Sequence, residues 1–105
     1  MSDEELIPKE GERYEVMKVF DAEVLTLWKT PATAGYDKTL PRGLRFVVVE
    51  FLQESQAVIA EADPYADWEA TLVDEDDIED PDYDGYGLVI PVELIASRCV
   101  RREPS

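Results

Sequence analysis

Between Phe46 and Ser97 the chain carries fifteen carboxylates and not one lysine or arginine. The flanks nearly cancel: residues 1–45 sum to −2 and the last eight to +2, so the middle holds the formal charge of −15. Density peaks over Asp74–Asp84 (DEDDIEDPDYD), with eight carboxylates in eleven positions. Like charges packed that closely repel. The segment therefore cannot fold onto itself without a cation or a basic partner.

The rest of the composition is that of a folded domain. Hydrophobic residues make up 45% of 105 residues and ten are aromatic, enough for one core and too many for a disordered acidic tail. The expected organisation is a flexible leader over residues 1–12 and a single domain over 13–105. No apolar run approaches the ~18–20 residues of a membrane span, and MSDEELIPKE has no signal-peptide pattern. A lone cysteine, Cys99, excludes an internal disulfide and fits a reducing cytoplasm. It reads as a small buried hydrophobe on the last strand, the alternative being a reactive thiol.

The chain has no histidine, which removes Ser–His–Asp and Cys–His catalysis and Cys/His zinc sites within it. The five glycines (Gly11, Gly35, Gly43, Gly85, Gly87) are scattered, so there is no phosphate-cradling loop. Direct nucleic-acid binding is disfavoured because phosphates would be repelled. These exclusions point to a non-catalytic protein without a resident cofactor or membrane contact, its oligomeric state open.

Periodicity argues for short strands. Tyr14–Phe20 and Ala22–Trp28 are rich in β-branched and aromatic residues, apolar on both sides. Lys29–Arg42 reads as a long loop. Leu44–Leu52 is the clearest strand: Leu44, Phe46 and Val48 share one face and Val47, Val49 and Phe51 the other, which places it centrally. Gln56–Ala62 is a shorter strand candidate with helix possible, and Trp68–Val73 alternates weakly through Trp68, Ala70 and Leu72. Tyr86–Ile90 is a strand stopped by Pro91, Val92–Ile95 has room for one helical turn, and Ala96–Arg102 ends the chain as a strand. Phe46, Val48, Trp68, Leu72, Leu88 and Ile90 are expected to be buried together. Five or six short strands make an all-β antiparallel barrel the expected fold.

Two stretches carry a resemblance. Asp67-Trp-Glu-Ala-Thr-Leu72, a loop, then Gly87-Leu-Val-Ile-Pro-Val-Glu-Leu-Ile95 resembles the second half of a Src-homology-3-like barrel. In that family a Trp-bearing strand is followed by a Gly-hydrophobic-Pro segment, a single 3₁₀ turn and a last strand. Thr39-Leu-Pro-Arg-Gly43 before Phe46–Phe51 resembles the family's turn and second strand, and Val19-Phe20-Asp21 matches its opening motif only in part. The resemblance implies the barrel and not its proline-rich ligand. The groove tyrosines are missing, Asp67 stands where the groove tryptophan would, and Val92, Glu93 and Leu94 follow Pro91 in place of a tyrosine.

Two constellations remain. Asp80-Pro-Asp-Tyr-Asp-Gly85 fits the start of a calcium loop, with Asp80, Asp82 and Asp84 as ligands. The twelfth position, where a bidentate Glu belongs, is Pro91, so a solvated hairpin loop closing at Asp84-Gly85 is preferred over weak calcium binding. Tyr65, Tyr83 and Tyr86 lie among the carboxylates, and with Asp74, Glu75, Asp76, Asp77 and Glu79 they form a candidate partner-binding patch. Trp68 and Tyr86 read also as core residues with polar tips. Arg98, Arg101 and Arg102 could pair with the acidic loop, although a solvated strand end is the simpler reading. The expected function is an acidic binding module that engages a basic protein. The alternative is an immunity protein or nucleic-acid-mimicking inhibitor of a basic toxin or nuclease.

Overall fold

The computed structural model describes residues 8–29 and 34–102. Its elements in chain order are β1 (Arg13–Val16), β2 (Phe20–Trp28), β3 (Ala34–Leu40), β4 (Arg45–Leu52), β5 (Ala57–Ala62), α1 (Tyr65–Leu72), α2 (Glu75–Glu79), β6 (Tyr83–Pro91), α3 (Val92–Arg98) and β7 (Cys99–Arg102). All seven strands join one antiparallel sheet in the order β3-β2-β6-β5-β4-β1-β7. The fold is thus mainly β, with seven strands where five or six were expected. The sheet is open, because among the described residues β3 and β7 each pair on one side only.

The core lies against one face. Phe20, Ala22 and Val24 of β2, Phe46 and Val48 of β4, Val58, Ala60 and Ala62 of β5, and Leu88 and Ile90 of β6 all point into it. This is the two-residue alternation of a half-covered sheet. Leu72 and Val73 at the end of α1 and Ile95 of α3 complete the same cluster. Each fully buried aliphatic or aromatic side chain contributes about 1.5–3 kcal/mol, so this cluster dominates stability. Of the six residues expected to be buried together, Phe46, Val48, Leu72, Leu88 and Ile90 are, and Trp68 packs on them half-buried.

Several local expectations are corrected. Trp68–Val73 is not a strand. Tyr65, Trp68 and Leu72 recur at helical spacing, Ala66, Glu69 and Ala70 favour helix, and the segment forms α1. The Trp-bearing strand on which part of the resemblance rested is therefore absent. Lys29–Arg42 is not a long loop. Residues 30–33 lie outside the described residues, but Ala34–Leu40 pairs with β2 from Phe20↔Leu40 to Thr26↔Ala34. Its polar residues are tolerated because β3 is an edge. Tyr14–Phe20 is interrupted: β1 ends at Val16 and β2 begins at Phe20.

Other expectations hold in outline. Gln56–Ala62 is strand, and the turn after Pro91 is helical but longer, delaying the last strand to Cys99. β4 has neighbours on both sides, yet only one of its faces is covered: Leu44, Phe46 and Val48 are buried and Val49, at a bulge, is 42% exposed. Beyond the bulge Phe51 packs against the core and not on the opposite face as expected. Of the leader expected over 1–12, residues 1–7 lie outside the described residues. Beyond them, the Gly11 N–H donates to Val48 C=O at 2.8 Å and the Val48 N–H donates to Glu12 C=O at 2.9 Å, so the chain is already tied to β4 there. No described helix is long and apolar enough to cross a membrane.

Candidate interaction surface

The acidic run is not a hairpin loop. Asp74 stands at the N-terminal boundary of α2, and the Asp77 and Ile78 N–H groups donate to its carbonyl at 3.0 and 3.1 Å. Two terms oppose the repulsion. Glu75, Asp76 and Asp77 occupy the first turn, at the positive end of the helix dipole. Ile78 packs half-buried against the core and pins the helix to the domain. Glu79 sits at the unfavourable end, with no basic residue in the last turn.

One cation serves this run. Lys38 of β3 approaches Asp74 at 3.6 Å, and among the described residues no other carboxylate of Asp74–Asp84 has a cation within 4.0 Å. Arg13, Arg45, Arg98, Arg101 and Arg102 are engaged elsewhere. Glu15 lies between Arg45 (3.2 Å) and Arg102 (2.9 Å), Arg101 pairs with Glu12 at 3.4 Å, and Arg13 pairs with Asp63. The Arg102 hydrogen bond holds the Glu15 carboxyl below its ordinary range. Arg98 donates to the Val19 carbonyl at 3.2 Å. The basic tail therefore pairs with β1 and its approach, not with the acidic run.

The tyrosines are built into the scaffold more than the sequence suggested. Tyr86 is 2% exposed and belongs to the core, which removes it from any contact surface. Tyr83 is half-buried, donates to Glu69 Oε2 at 2.8 Å and packs edge-on against Trp28 at 5.8 Å. Burial, reinforced by the Glu69 hydrogen bond, pushes its hydroxyl pKa well up. Tyr65 is 36% exposed, but its hydroxyl is committed to the backbone of Tyr86. Tyr36, which the sequence reading passed over, donates to Leu72 C=O at 3.0 Å and ties β3 to the end of α1. Burial and then the charges of Asp74 and Asp77 raise its pKa. The Tyr36–Leu40 spacing with Lys38 between them was the signal for that strand.

Asp80, Asp82 and Asp84 are spread over a turn and the start of β6. The Asp82 N–H donates to Asp80 Oδ1 at 2.9 Å, so that carboxylate closes a local turn. Asp84 has already entered β6, and the described residues contain no group of three or more His, Cys, Asp or Glu side chains able to hold a metal. Cys99 is half-buried on β7. Burial pushes its thiol up to about 12, which keeps it protonated at neutral pH.

The surviving surface is thus Asp74, Glu75, Asp76, Asp77 and Glu79 on and beside α2, continued by Asp80, Asp82 and Asp84, with Tyr65 apart from it on α1. No family model, curated protein or solved structure matches this chain.

Proposed function

We propose that this chain is a non-catalytic binding module whose acidic surface engages a basic protein. The supporting observation is the exposed run from Asp74 to Asp84, held on a helix anchored by Ile78 and served only by Lys38 among the described residues. Fixed, uncompensated charge attracts cationic proteins from a distance and raises association rates. Arginines paired at the far edge of the sheet leave that field intact. The test is kinetic. A basic partner should associate more slowly when Asp76, Asp77, Glu79 and Asp80 are replaced by Asn or Gln, and more slowly with added salt. An association rate indifferent to both would reject the reading.

We further propose that the sheet is an elaborated Src-homology-3-like arrangement. Gly43 preceding β4, the strand Gly87–Pro91, the short helix after Pro91 and a last strand that returns to β1 all support it. The helices α1 and α2 are additions to that plan.

A further inference from the structure

The face of the sheet turned away from the core carries apolar residues, Leu25, Val47, Ile59 and Val89, that the described chain leaves only half-buried. Register places Asp37, Glu23, Val89, Ile59 and Glu50 side by side across five strands. Beside that row stands Gly35–Leu25–Gly87, and Val47 lies opposite Glu61. Residues two apart on a strand share a face, so Leu25, Val47, Ile59 and Val89 form one apolar stripe bordered by Glu23, Glu50 and Glu61. Leu27 extends it, 43% exposed.

Two features separate this stripe from an ordinary wet sheet face. First, Glu23, Asp37, Glu50 and Glu61 have no cation within 4.0 Å among the described residues. Arg13, beside Val47, is already engaged by Asp63. Second, Gly87 sits mid-strand where the chain's own packing does not require glycine. An added Cβ would meet only the Ala60 carbonyl oxygen, at 3.9 Å. Glycine inside a strand weakens it and is typical where another chain approaches closely. Here it leaves a dip beside Leu25.

We infer that this outer sheet face, Leu25, Val47, Ile59 and Val89 with the dip at Gly87, docks a cationic amphipathic segment of another protein. The apolar side of the segment would cover the stripe and its Lys or Arg side chains would meet Glu23, Glu50 and Glu61. Charge complementarity selects that occupant over a second copy of this chain, since an isologous contact would bring the same carboxylates together. The inference rests on the basic-partner reading and moves the contact from the acidic helix, which steers, to the sheet, which holds.

The full-length, ¹⁵N-labelled chain can be titrated with a synthetic Leu/Lys peptide having one apolar and one cationic face, and separately with oligolysine of equal charge. The Leu/Lys peptide should shift the amides of Leu25, Val47, Ile59 and Val89, whereas oligolysine should act mainly on residues 74–84. Gly87→Thr fills the dip with a residue that strands favour and should weaken Leu/Lys binding about tenfold without lowering the melting temperature. Ile59→Thr should weaken it likewise. Shifts confined to residues 74–84 with both peptides would overturn the docking face and leave the basic-partner reading standing. No response to either peptide would remove both. Broadening of the face amides with protein concentration alone would overturn the inference by showing that a second copy occupies the stripe.

Discussion

The hydroxyl of Tyr65 serves both backbone groups of Tyr86. The Tyr86 N–H donates to Tyr65 Oη at 2.7 Å and Tyr65 Oη donates to Tyr86 C=O at 3.3 Å. In return Tyr86 Oη donates to Tyr65 C=O at 2.5 Å, and the rings stack with centroids 4.3 Å apart. The reason is topological. β5 pairs with β6 only as far as Ala60↔Leu88 and beyond that stays with β4 alone, so Tyr86 has no strand partner on that side. A buried N–H and C=O must be satisfied, and a phenol at the start of α1 replaces the missing strand. The acidic helix follows directly, so this junction sets where the charge is presented.

Tyr65→Phe should therefore cost about 1–3 kcal/mol, the penalty for leaving buried polar groups unpaired, although it removes one oxygen. A double-mutant cycle with Tyr86→Phe should give a coupling of about 0.5–3 kcal/mol. Gly85→Ala should also destabilise, since its Cβ would lie 2.7 Å from Tyr65 Oη at a residue with φ +135°. Urea unfolding measures all three. A neutral Tyr65→Phe would show that the junction is not structural.

Alkali should unfold the domain earlier than its carboxylates alone would suggest. Burial raises the Cys99 thiol from 9.0 to about 12 and the Tyr14 hydroxyl from 10.0 to about 12, and it pushes Tyr83 and Tyr86 up as well. The unfolded chain releases these protons at lower pH than the folded one. Their contribution is thus fully present below about pH 9 and lost as pH rises towards about 12. Phenolate absorbance should rise together with loss of structure by circular dichroism. Tyrosines titrating near their ordinary value in an intact fold would contradict this.

Glu15 makes the opposite test at the acid end. Its carboxyl is held low by Arg102 first and by Arg45 as well, so it contributes stability above the ordinary carboxylate range and loses it as pH falls. The melting temperature of Glu15→Gln should lie below that of the unmodified chain near neutrality, and the two should converge in acid. A difference that persists in acid would place the effect of Glu15 in packing.

What the sequence revealed was alternation, and it failed where alternation was ambiguous. Leu44–Leu52 and Tyr86–Ile90 were legible because apolar residues recur at every second position, Leu44, Phe46 and Val48 in one and Tyr86, Leu88 and Ile90 in the other. Trp68, Ala70 and Leu72 also alternate, but Tyr65, Trp68 and Leu72 fit a helix equally, and the choice is made by packing on a core built from distant strands. Ala34–Leu40 was hidden because an edge strand needs only one apolar face. The carboxylates of the candidate surface were countable, but their pairing was not. That Arg101 and Arg102 meet Glu12 and Glu15 depends on β7 returning to β1, a contact between chain segments far apart in sequence. Tyr86 read both as core and as contact residue, and only register decides between the two.

The acidic helix gives the last prediction, in which position matters as much as charge. Glu75, Asp76 and Asp77 lie in the first turn of α2, where the dipole offsets part of their mutual repulsion, whereas Glu79 adds charge at the negative end. At low salt Glu79→Gln should raise the melting temperature more than Asp76→Asn, the difference corresponding to about 0.3–1 kcal/mol. Lys38→Gln should act in the opposite direction, because it removes the cation that faces Asp74 at 3.6 Å. Salt screens both the repulsion and the pair, so near 1 M, where the Debye length is about 3 Å, the three variants should converge on the unmodified chain. Calorimetry at two ionic strengths suffices. If Glu79→Gln and Asp76→Asn stabilise equally, the run behaves as undifferentiated charge and the helix is not held in solution. If Lys38→Gln is neutral at low salt, the Asp74 pair is not formed.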